Sequence, residues 1–213
     1  MRNPFIKISN FLDNNDIRWV IYEKYSKVIG ILSTNFQKII YGKKLLINSE
    51  CNVWGKIRFL IHGPGSIIIG KSFHAVSARK RSFFTIYSPV HLTIIGNGQI
   101  IIGDHVGLNG TTITARKKIK IGDYTMIGPN TIIVDNDGHN AWPPRERWTT
   151  SGKSEDIIIE NDVWIGMNCT ILKGVKIGAG SIIAAGSVVI SNVDANSLYA
   201  GNPAVKIKSL IKL

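Results

Sequence analysis

A six-residue spacing of aliphatic side chains dominates the C-terminal part of the sequence. The first position of each unit is aliphatic at Ile159, Ile165, Ile171, Ile177, Ile183 and Val189. The fifth position is small or β-branched, at Val163, Cys169, Val175, Ser181 and Ser187. This period matches neither the 3.6-residue repeat of a helix nor the two-residue alternation of an isolated strand.

A period of six predicts a chain that turns a corner every six residues and points one large aliphatic side chain inward from each short face. Three faces then close a triangular coil of ~18 residues, and successive coils stack at ~4.8 Å, the usual strand spacing. The sequence therefore predicts an all-β solenoid of parallel strands.

The repeat extends upstream with less regularity. Ile102, Leu108 and Thr114 are expected to lead three units, and after a slip of one residue Ile121, Ile127 and Ile133 lead the next. The pattern is specific over residues 94–205 and weaker over 45–93. Residues 1–44 contain no such units; there Asp16 to Leu32 predicts one amphipathic helix, with Asn15 or Asp16 as its N-cap.

One long insert breaks the repeat between Ile133 and Ile157, with the sequence VDNDGHNAWPPRERWTTSGKSED. Long loops in a compact domain are usually functional. His139 lies near the start of this insert, flanked by Asp135, Asp137 and Asn140. Since imidazole titrates near neutral pH, His139 is a candidate general base.

Composition narrows the class of protein. Apolar residues make up 44% of the 213 residues, 37 of them isoleucine, so the chain can bury a large core of β-branched side chains. The two cysteines, Cys51 and Cys169, are too few for a disulfide framework. No signal-peptide stretch or membrane-spanning run is apparent, so we expect a cytoplasmic protein with at most a peripheral membrane contact.

The net charge of +12 is concentrated in the N-terminal part. Residues 1–150 contain 20 basic and 9 acidic side chains, whereas residues 151–213 contain 6 and 5. A basic field attracts anionic partners. The sequence contains no recognised nucleic-acid-binding module, so an anionic acceptor is favoured over nucleic acid.

The six-residue units, the DGH sequence of the insert, the VWIGM sequence around Trp164 and the closing YAGNPAVKIK together resemble the hexapeptide-repeat acyltransferases, closest to the sugar and polysaccharide O-acetyltransferases. This resemblance implies a left-handed parallel β-helix, acetyl-CoA as acyl donor and a homotrimer with active sites between subunits. It assigns the solenoid to residues 45–205, the active-site loop to 134–156, a helical cap to 1–44 and a tail to 206–213.

The resemblance also implies the catalytic role of His139, which would remove a proton from the acceptor hydroxyl as that hydroxyl attacks acetyl-CoA. An oriented imidazole needs a partner on its other nitrogen. Asp137, Asp135 and a backbone carbonyl are the three alternatives, and Asp137 joins the candidate catalytic residues. Trp164 occupies a position that is functionally important in related polysaccharide O-acetyltransferases, although a structural aromatic role is the alternative.

Further residues follow from the same resemblance. Asn109 matches a substrate-contacting asparagine of sugar O-acetyltransferases, with a structural asparagine stack as the alternative. Lys117 stands where galactoside-type enzymes have a carboxylate, which argues against their neutral-sugar specificity and makes Lys117 a candidate acceptor contact.

The donor would lie near Met167 and Ala185, with Lys206 and Lys208 as candidate ligands of its phosphates. Val205 stands where the family usually has a basic residue after Pro-Ala, and Lys206 follows it by one position.

We therefore expect an acetyl-CoA-dependent O-acetyltransferase that modifies a sugar of a capsule, O-antigen or similar cell-surface polysaccharide. The alternatives are an N-acetyltransferase acting on a nucleotide-linked amino sugar and a non-catalytic β-helix that binds glycans. We expect no metal site, because the remaining histidines lack a ligand spacing; they are His62, His74, His91 and His105.

Overall fold

The computed structural model describes residues 17–48 and 50–211, and the side chains from residue 19 onward. The predicted N-cap, Asn15 or Asp16, lies outside the described residues. Within them, one helix, α1 (Ile17–Tyr41), precedes a series of short strands. Short 3-10 turns occupy Gly42–Lys44, Arg79–Arg81 and Pro144–Trp148.

The strands follow one another around three faces. The first coils comprise β1 (Leu45–Ile47), β2 (Asn52–Trp54), β3 (Arg58–His62), β4 (Ser66–Ile69), β5 (His74–Val76), β6 (His91–Ile95), β7 (Gln99–Ile102), β8 (Gly107–Asn109) and β9 (Thr112–Ala115). The later coils comprise β10 (Lys118–Ile121), β11 (Met126–Ile127), β12 (Ile132–Val134), β13 (Ile157–Ile159), β14 (Trp164–Ile165), β15 (Thr170–Ile171), β16 (Lys176–Ile177), β17 (Ile182–Ile183) and β18 (Val188–Val189). A hairpin of β19 (Ser197–Gly201) and β20 (Ala204–Ser209) follows.

Three sheets form the walls of the resulting prism. Sheet A has the order β1-β4-β7-β10-β13-β16, sheet B the order β2-β5-β8-β11-β14-β17-β19-β20, and sheet C the order β3-β6-β9-β12-β15-β18. Neighbouring strands are parallel except in the antiparallel β19–β20 pair. The predicted all-β solenoid with an N-terminal helix is therefore confirmed.

The six-residue units correspond to stacked columns of buried side chains. In sheet A the pairing aligns Ile69, Ile102, Ile121, Ile159 and Ile177. In sheet B it aligns Val53, Ala75, Leu108, Ile127, Ile165, Ile183 and Tyr199. In sheet C it aligns Phe59, Leu92, Ile113, Ile133, Ile171 and Val189. All these side chains are buried and form one continuous core.

The prediction that Thr114 leads a unit is wrong. Ile113 pairs with Leu92 and Ile133 and is fully buried, whereas Thr114 is half-buried. The step from Leu108 to the next interior position is five residues instead of six, and a one-residue shift turns a side chain to the other face of the strand.

The corner between sheets A and B is held by a stack of short polar side chains. Asp104 Oδ1 accepts a hydrogen bond from the backbone N–H of Lys71 (2.6 Å), and Asp123 Oδ1 accepts one from that of Asp104 (2.8 Å). A Cβ at Gly103 would overlap this Asp123 oxygen, which explains why glycine follows the leading isoleucine there. The small residues of the repeat thus permit the close approach of successive coils.

Helix α1 extends nine residues beyond its predicted end at Leu32 and covers the open edge of the first coil. Its inward face is polar. The amide of Gln37 donates to the carbonyl of Ile57 (2.8 Å) and accepts from the N–H of Phe59 (3.1 Å), and the Tyr41 hydroxyl donates to the carbonyl of Phe59 (3.0 Å). These contacts satisfy backbone groups that an edge strand would otherwise leave unpaired.

The helix approaches the first coil closely at Gly30, where a Cβ would overlap the carbonyl of Val53. Since the polar and small residues face inward, most large apolar side chains of α1 are exposed. No helix in the described part of the chain is both long and apolar enough to cross a membrane.

At the other end, β20 folds back on β19 and brings Lys206 opposite Tyr199 and Lys208 opposite Leu198. The segment that the sequence assigned to a tail from residue 206 therefore belongs, as far as Ser209, to a hairpin at the end of sheet B.

Replacing Gln37 by leucine tests the polar cap. Gln37→Leu conserves bulk but leaves the Ile57 carbonyl and the Phe59 N–H without their partner, so we expect a loss of about 1–3 kcal/mol of unfolding free energy. Urea unfolding followed by circular dichroism measures it. Asn35→Ala, at an exposed position of the same helix, is the matched control; equal midpoints for the two variants would contradict the cap.

Candidate functional site

The insert between β12 and β13, residues 135–156, forms a loop on a narrow stem. The stem is closed by an antiparallel bridge between Asn136 and Ser154 and by hydrogen bonds from Asp137 N–H to the Lys153 carbonyl (3.1 Å) and from Glu155 N–H to the carbonyl of residue 135 (2.9 Å). These bonds position the loop at the edge where sheet C meets sheet A. We call residues 135–156 the His139 loop.

A buried carboxylate anchors this loop to the preceding coil. Asp135 is fully buried and accepts hydrogen bonds from the backbone N–H groups of Arg116 (2.8 Å) and Lys117 (2.7 Å). The amide of Asn136 donates to it as well (3.0 Å). The carboxylate oxygens are therefore occupied by donors at the base of the loop.

His139 is exposed, and its ring is oriented by a backbone carbonyl. Nδ1 lies 2.6 Å from the carbonyl oxygen of Arg147. Because a carbonyl oxygen only accepts, Nδ1 carries the proton in this hydrogen bond, and a neutral ring then has Nε2 as its acceptor. The tautomer that a general base requires follows from this one contact.

The contacts of Asp137 explain why it is not the ring's partner. Its carboxylate forms an ion pair with Lys173 Nζ (2.7 Å). Of the three alternatives that the sequence left open for the second ring nitrogen, the structure contains the backbone carbonyl. Asp137 instead connects the His139 loop to the coil that follows it.

The remaining contacts of the loop shape a cavity beside His139. The Asn140 amide donates to the carboxylate of Glu146 (2.7 Å), and the Arg147 guanidinium donates to the carbonyl of Ala141 (3.2 Å). The cavity has a volume of about 320 Å³. Its lining consists of His139, Pro144, Arg147 and Trp148.

A second, larger cleft of about 470 Å³ lies on the outer face of sheet B. Asn109 and Trp164 both line it, together with Trp54, Arg81, Phe83 and Phe84. The Asn109 amide donates to Ser82 Oγ (3.0 Å), while its Oδ1 is buried without a hydrogen-bond partner among the described residues. This oxygen therefore has an unused capacity to accept a hydrogen bond. Trp164 is 56% exposed and thus lies outside the core.

The wall of this cleft comes from a segment that the sequence analysis did not assign to the site. Residues 77–90 connect β5 to β6 and are clamped by Asn130, whose side chain accepts from the N–H of Tyr87 (2.9 Å) and donates to the carbonyl of Thr85 (2.8 Å). The feature of the sequence that could have indicated this segment is the interruption of the six-residue repeat at residues 77–90, which contains the sequence RKRSFF.

Lys117 lies at the base of the His139 loop and is absent from the lining of the cleft. Its Nζ is 3.2 Å from a carboxylate oxygen of Asp156. The structure therefore groups Lys117 with the loop and groups Asn109 with Trp164. No residue of the His139 loop lines the cleft within the described chain.

The candidate donor residues lie along the late coils and the hairpin. The Met167 carbonyl accepts from the N–H of Gly186 (2.9 Å), and Ala185 is exposed. Lys206 hydrogen-bonds to Asp194 (2.8 Å); this contact raises the pKa of Lys206 and lowers that of Asp194. Lys208 is exposed on the same strand.

Cys169, which follows this region of the coil, is not suited to act as a nucleophile. Its thiol is buried and lies 3.2 Å from the carbonyl of Ala184. Burial raises the pKa of the Cys169 thiol, so the unreactive protonated form is favoured.

Comparison with known proteins agrees with this fold. Residues 156–191 match the family described as bacterial transferase hexapeptide (six repeats). The chain is similar to a crystallised hexapeptide-repeat acetyltransferase of Vibrio cholerae in complex with acetyl coenzyme A. That match has 32% sequence identity, covers 72% of each chain and gives a TM-score of 0.50.

Two further relatives are named as acetyltransferases. A protein of Escherichia coli named as the lipopolysaccharide biosynthesis O-acetyl transferase WbbJ is 29% identical over 163 residues, which cover 71% of this chain and 77% of that protein. A protein of Lysinibacillus sphaericus named as a macrolide acetyltransferase is 58% identical over 53 residues. That match covers 25% of this chain and spans only 29% of the relative's length. The relatives are acetyltransferases, in agreement with the predicted enzyme class and donor.

Substituting Asp135 tests the anchor of the His139 loop. In Asp135→Asn the amide nitrogen would face a backbone N–H, so we expect the loop to detach more often and trypsin to cut faster at its exposed Arg145 and Arg147. The initial cleavage rate, followed by mass spectrometry, should rise about tenfold for a lost contact of about 1.4 kcal/mol. Asp162→Asn, at an exposed corner, is the control; equal cleavage rates in the two variants would be inconsistent with the anchor.

Proposed function

Since the chain belongs to the bacterial hexapeptide-repeat transferase family, we propose that it transfers an acetyl group from acetyl-CoA to a hydroxyl of a carbohydrate. The observation that carries the proposal is the hydrogen bond of His139 Nδ1 to the Arg147 carbonyl, which leaves Nε2 as the basic nitrogen. Similarity to the E. coli relative over most of the chain supports oxygen as the acceptor atom.

The proposed chemistry needs one base that later acts as an acid. Acetyl-CoA supplies an acetyl group activated as a thioester. His139 Nε2 removes the proton of the acceptor hydroxyl as its oxygen attacks the thioester carbonyl carbon. The resulting imidazolium then returns the proton to the sulfur as the carbon–sulfur bond breaks. The Arg147 carbonyl keeps the ring in one orientation during both proton transfers.

The acceptor is proposed to bind in the sheet B cleft. Asn109 Oδ1, a buried acceptor without a partner among the described residues, would receive a sugar hydroxyl. Trp164 presents an exposed ring on which the apolar face of a sugar can pack. Lys117 would contact the acceptor from the base of the His139 loop, and Asp137 would hold that loop in place through Lys173.

The donor is proposed to lie along the coils near Met167 and Ala185. The small exposed residues there leave the backbone accessible to an extended chain. Lys208 and Lys206 would meet the phosphates of CoA, with Lys206 exchanging its contact to Asp194 for a phosphate. The position of both lysines on the exposed strand β20 supports this assignment of the phosphate ligands.

Three further expectations complete the proposal. The coil is left-handed, as the family resemblance implies. Three prisms pack side by side, so that the His139 loop of one subunit faces the cleft of another. The acceptor belongs to a cell-surface polysaccharide pathway, and the protein acts in the cytoplasm. The separate cavities of the His139 loop and of Asn109 support a site shared between chains.

Removal of the base gives the most direct test. We expect His139→Ala to lower kcat for the best acceptor by about 10²- to 10⁴-fold, the usual contribution of a general base. Release of the CoA thiol is followed with acetyl-CoA and a panel of sugars, amino-sugar nucleotides and acidic glycans. His62→Ala, at an exposed position of sheet C, is the control. Unchanged turnover by His139→Ala would refute the mechanism, and turnover of amino sugars alone would refute O-acetylation.

The charge of the cleft predicts an anionic acceptor. Arg81 lines the cleft, with its Nε 3.4 Å from a carboxylate oxygen of Glu23, and no carboxylate of the described residues is part of the lining. We expect Arg81→Gln to raise KM for an acidic glycan roughly fivefold, the effect of one partly exposed ionic contact, and to leave KM for a neutral sugar unchanged. Rising salt concentration should likewise raise KM for the acidic glycan.

Arg79→Gln is the control, because Arg79 donates to the Tyr87 carbonyl and does not line the cleft. An equal rise in KM for acidic and neutral acceptors would show a structural effect of Arg81 and contradict charge recognition.

A further inference from the structure

The outward face of α1 carries a continuous apolar stripe. Its members recur at spacings of three and four residues, so they lie on one side of the helix. Each is more than half exposed, with fractions from 54% to 79%. The stripe, which we call the outer face of α1, consists of Ile21, Tyr25, Val28, Leu32, Phe36 and Ile39.

Capping of the β-helix does not require this stripe. The helix contacts the first coil through its opposite side, where the carbonyl of Ser26 accepts from Gly55 N–H (2.8 Å) and Gln37 and Tyr41 bind the edge strand. Replacing the outward residues by polar ones would leave all these contacts intact. An exposed contiguous apolar stripe of this size indicates a surface that binds something.

Among the described residues, cations flank the outer face. Lys24 lies exposed on the helix, Lys43 follows its end, and Lys80 is 5.5 Å from the ring centroid of Tyr22. Lys27 and Lys44 lie on the side of the β-helix instead, against the Trp54 ring and the Gly63 carbonyl. The single acid of the described helix, Glu23, is 3.4 Å from Arg81. No acidic residue occurs between Glu50 and Asp104 in the sequence.

The positive charge beside the outer face of α1 distinguishes between the partners that could bind there. A second copy of the chain on the same face would bring the lysines of one helix toward those of the other, and like charges at an interface oppose association. An anionic phospholipid surface neutralises them instead. The aromatic side chains of the outer face, Tyr25 and Phe36, also favour the boundary between headgroups and acyl chains.

We propose that the outer face of α1 binds the surface of an anionic phospholipid bilayer, with its apolar side chains among the acyl chains and the flanking lysines at the headgroups. The helix lies along the first coil and does not cross the membrane. This binding goes beyond the proposed acetyl transfer and needs neither donor nor acceptor.

Vesicle sedimentation tests the proposal. The purified chain should bind mixed phosphatidylcholine–phosphatidylglycerol vesicles, bind pure phosphatidylcholine vesicles much less, and lose affinity as salt rises. The double variant Leu32→Ser with Phe36→Ser should reduce binding roughly tenfold or more, because two apolar side chains leave the acyl region. Lys24→Gln with Lys43→Gln should weaken binding to the anionic vesicles only.

Matched controls change similar residues elsewhere. Ile190→Ser with Ile211→Ser removes two exposed aliphatic side chains away from α1, and Lys118→Gln with Lys120→Gln removes two cations of sheet A; both double variants should bind the vesicles as the native chain does.

Circular dichroism reports the folding of every variant, and light scattering reports its mass in solution. The proposal would be overturned by equal binding to the two vesicle types or by undiminished binding of the Leu32→Ser, Phe36→Ser variant. It would also be overturned if that variant had a lower mass in solution than the native chain, because a second copy would then occupy this face.

Discussion

The structure depends on the satisfaction of backbone hydrogen bonds at the two ends of the solenoid. Inside the prism each strand pairs with the coils before and after it, but the terminal coils have neighbours on one side only. At the N-terminal end the amide of Gln37 and the hydroxyl of Tyr41 supply the missing partners, and at the other end β20 pairs with β19. This requirement turns the polar side of α1 inward and leaves its apolar side outward.

The interior of the fold could be predicted because its constraint is local and periodic. One buried aliphatic residue per face is needed in every coil, so Ile159, Ile165 and Ile171 identify the columns from the sequence alone. The orientation of α1 could not be predicted in this way. Amphipathic patterns usually place apolar residues toward the core, and here the partner of the helix is an edge of unpaired amides, which selects polar side chains.

The candidate site could be predicted where it coincides with an interruption of the repeat. It could be predicted less well where the contacting residues are far apart in the sequence. The break after Ile133 predicted the His139 loop, and the residue type indicated a candidate base. The ring partner is the carbonyl of Arg147, a group that every residue possesses, so no side-chain pattern could single it out. The cleft around Asn109 depends on residues 77–90, whose clamp, Asn130, belongs to a later coil.

Both cavities of the candidate site border insertions into the repeat. The insertion after β12 carries the proposed base, and the insertion after β5 builds the wall beside Asn109. These insertions leave the solenoid at different edges, one where sheet C meets sheet A and one where sheet B meets sheet C. One chain therefore places the proposed base away from the proposed acceptor cleft. Lateral packing of three prisms, as we propose, can bring these edges together because each prism then faces two neighbours. It also leaves the end covered by α1 available to a membrane.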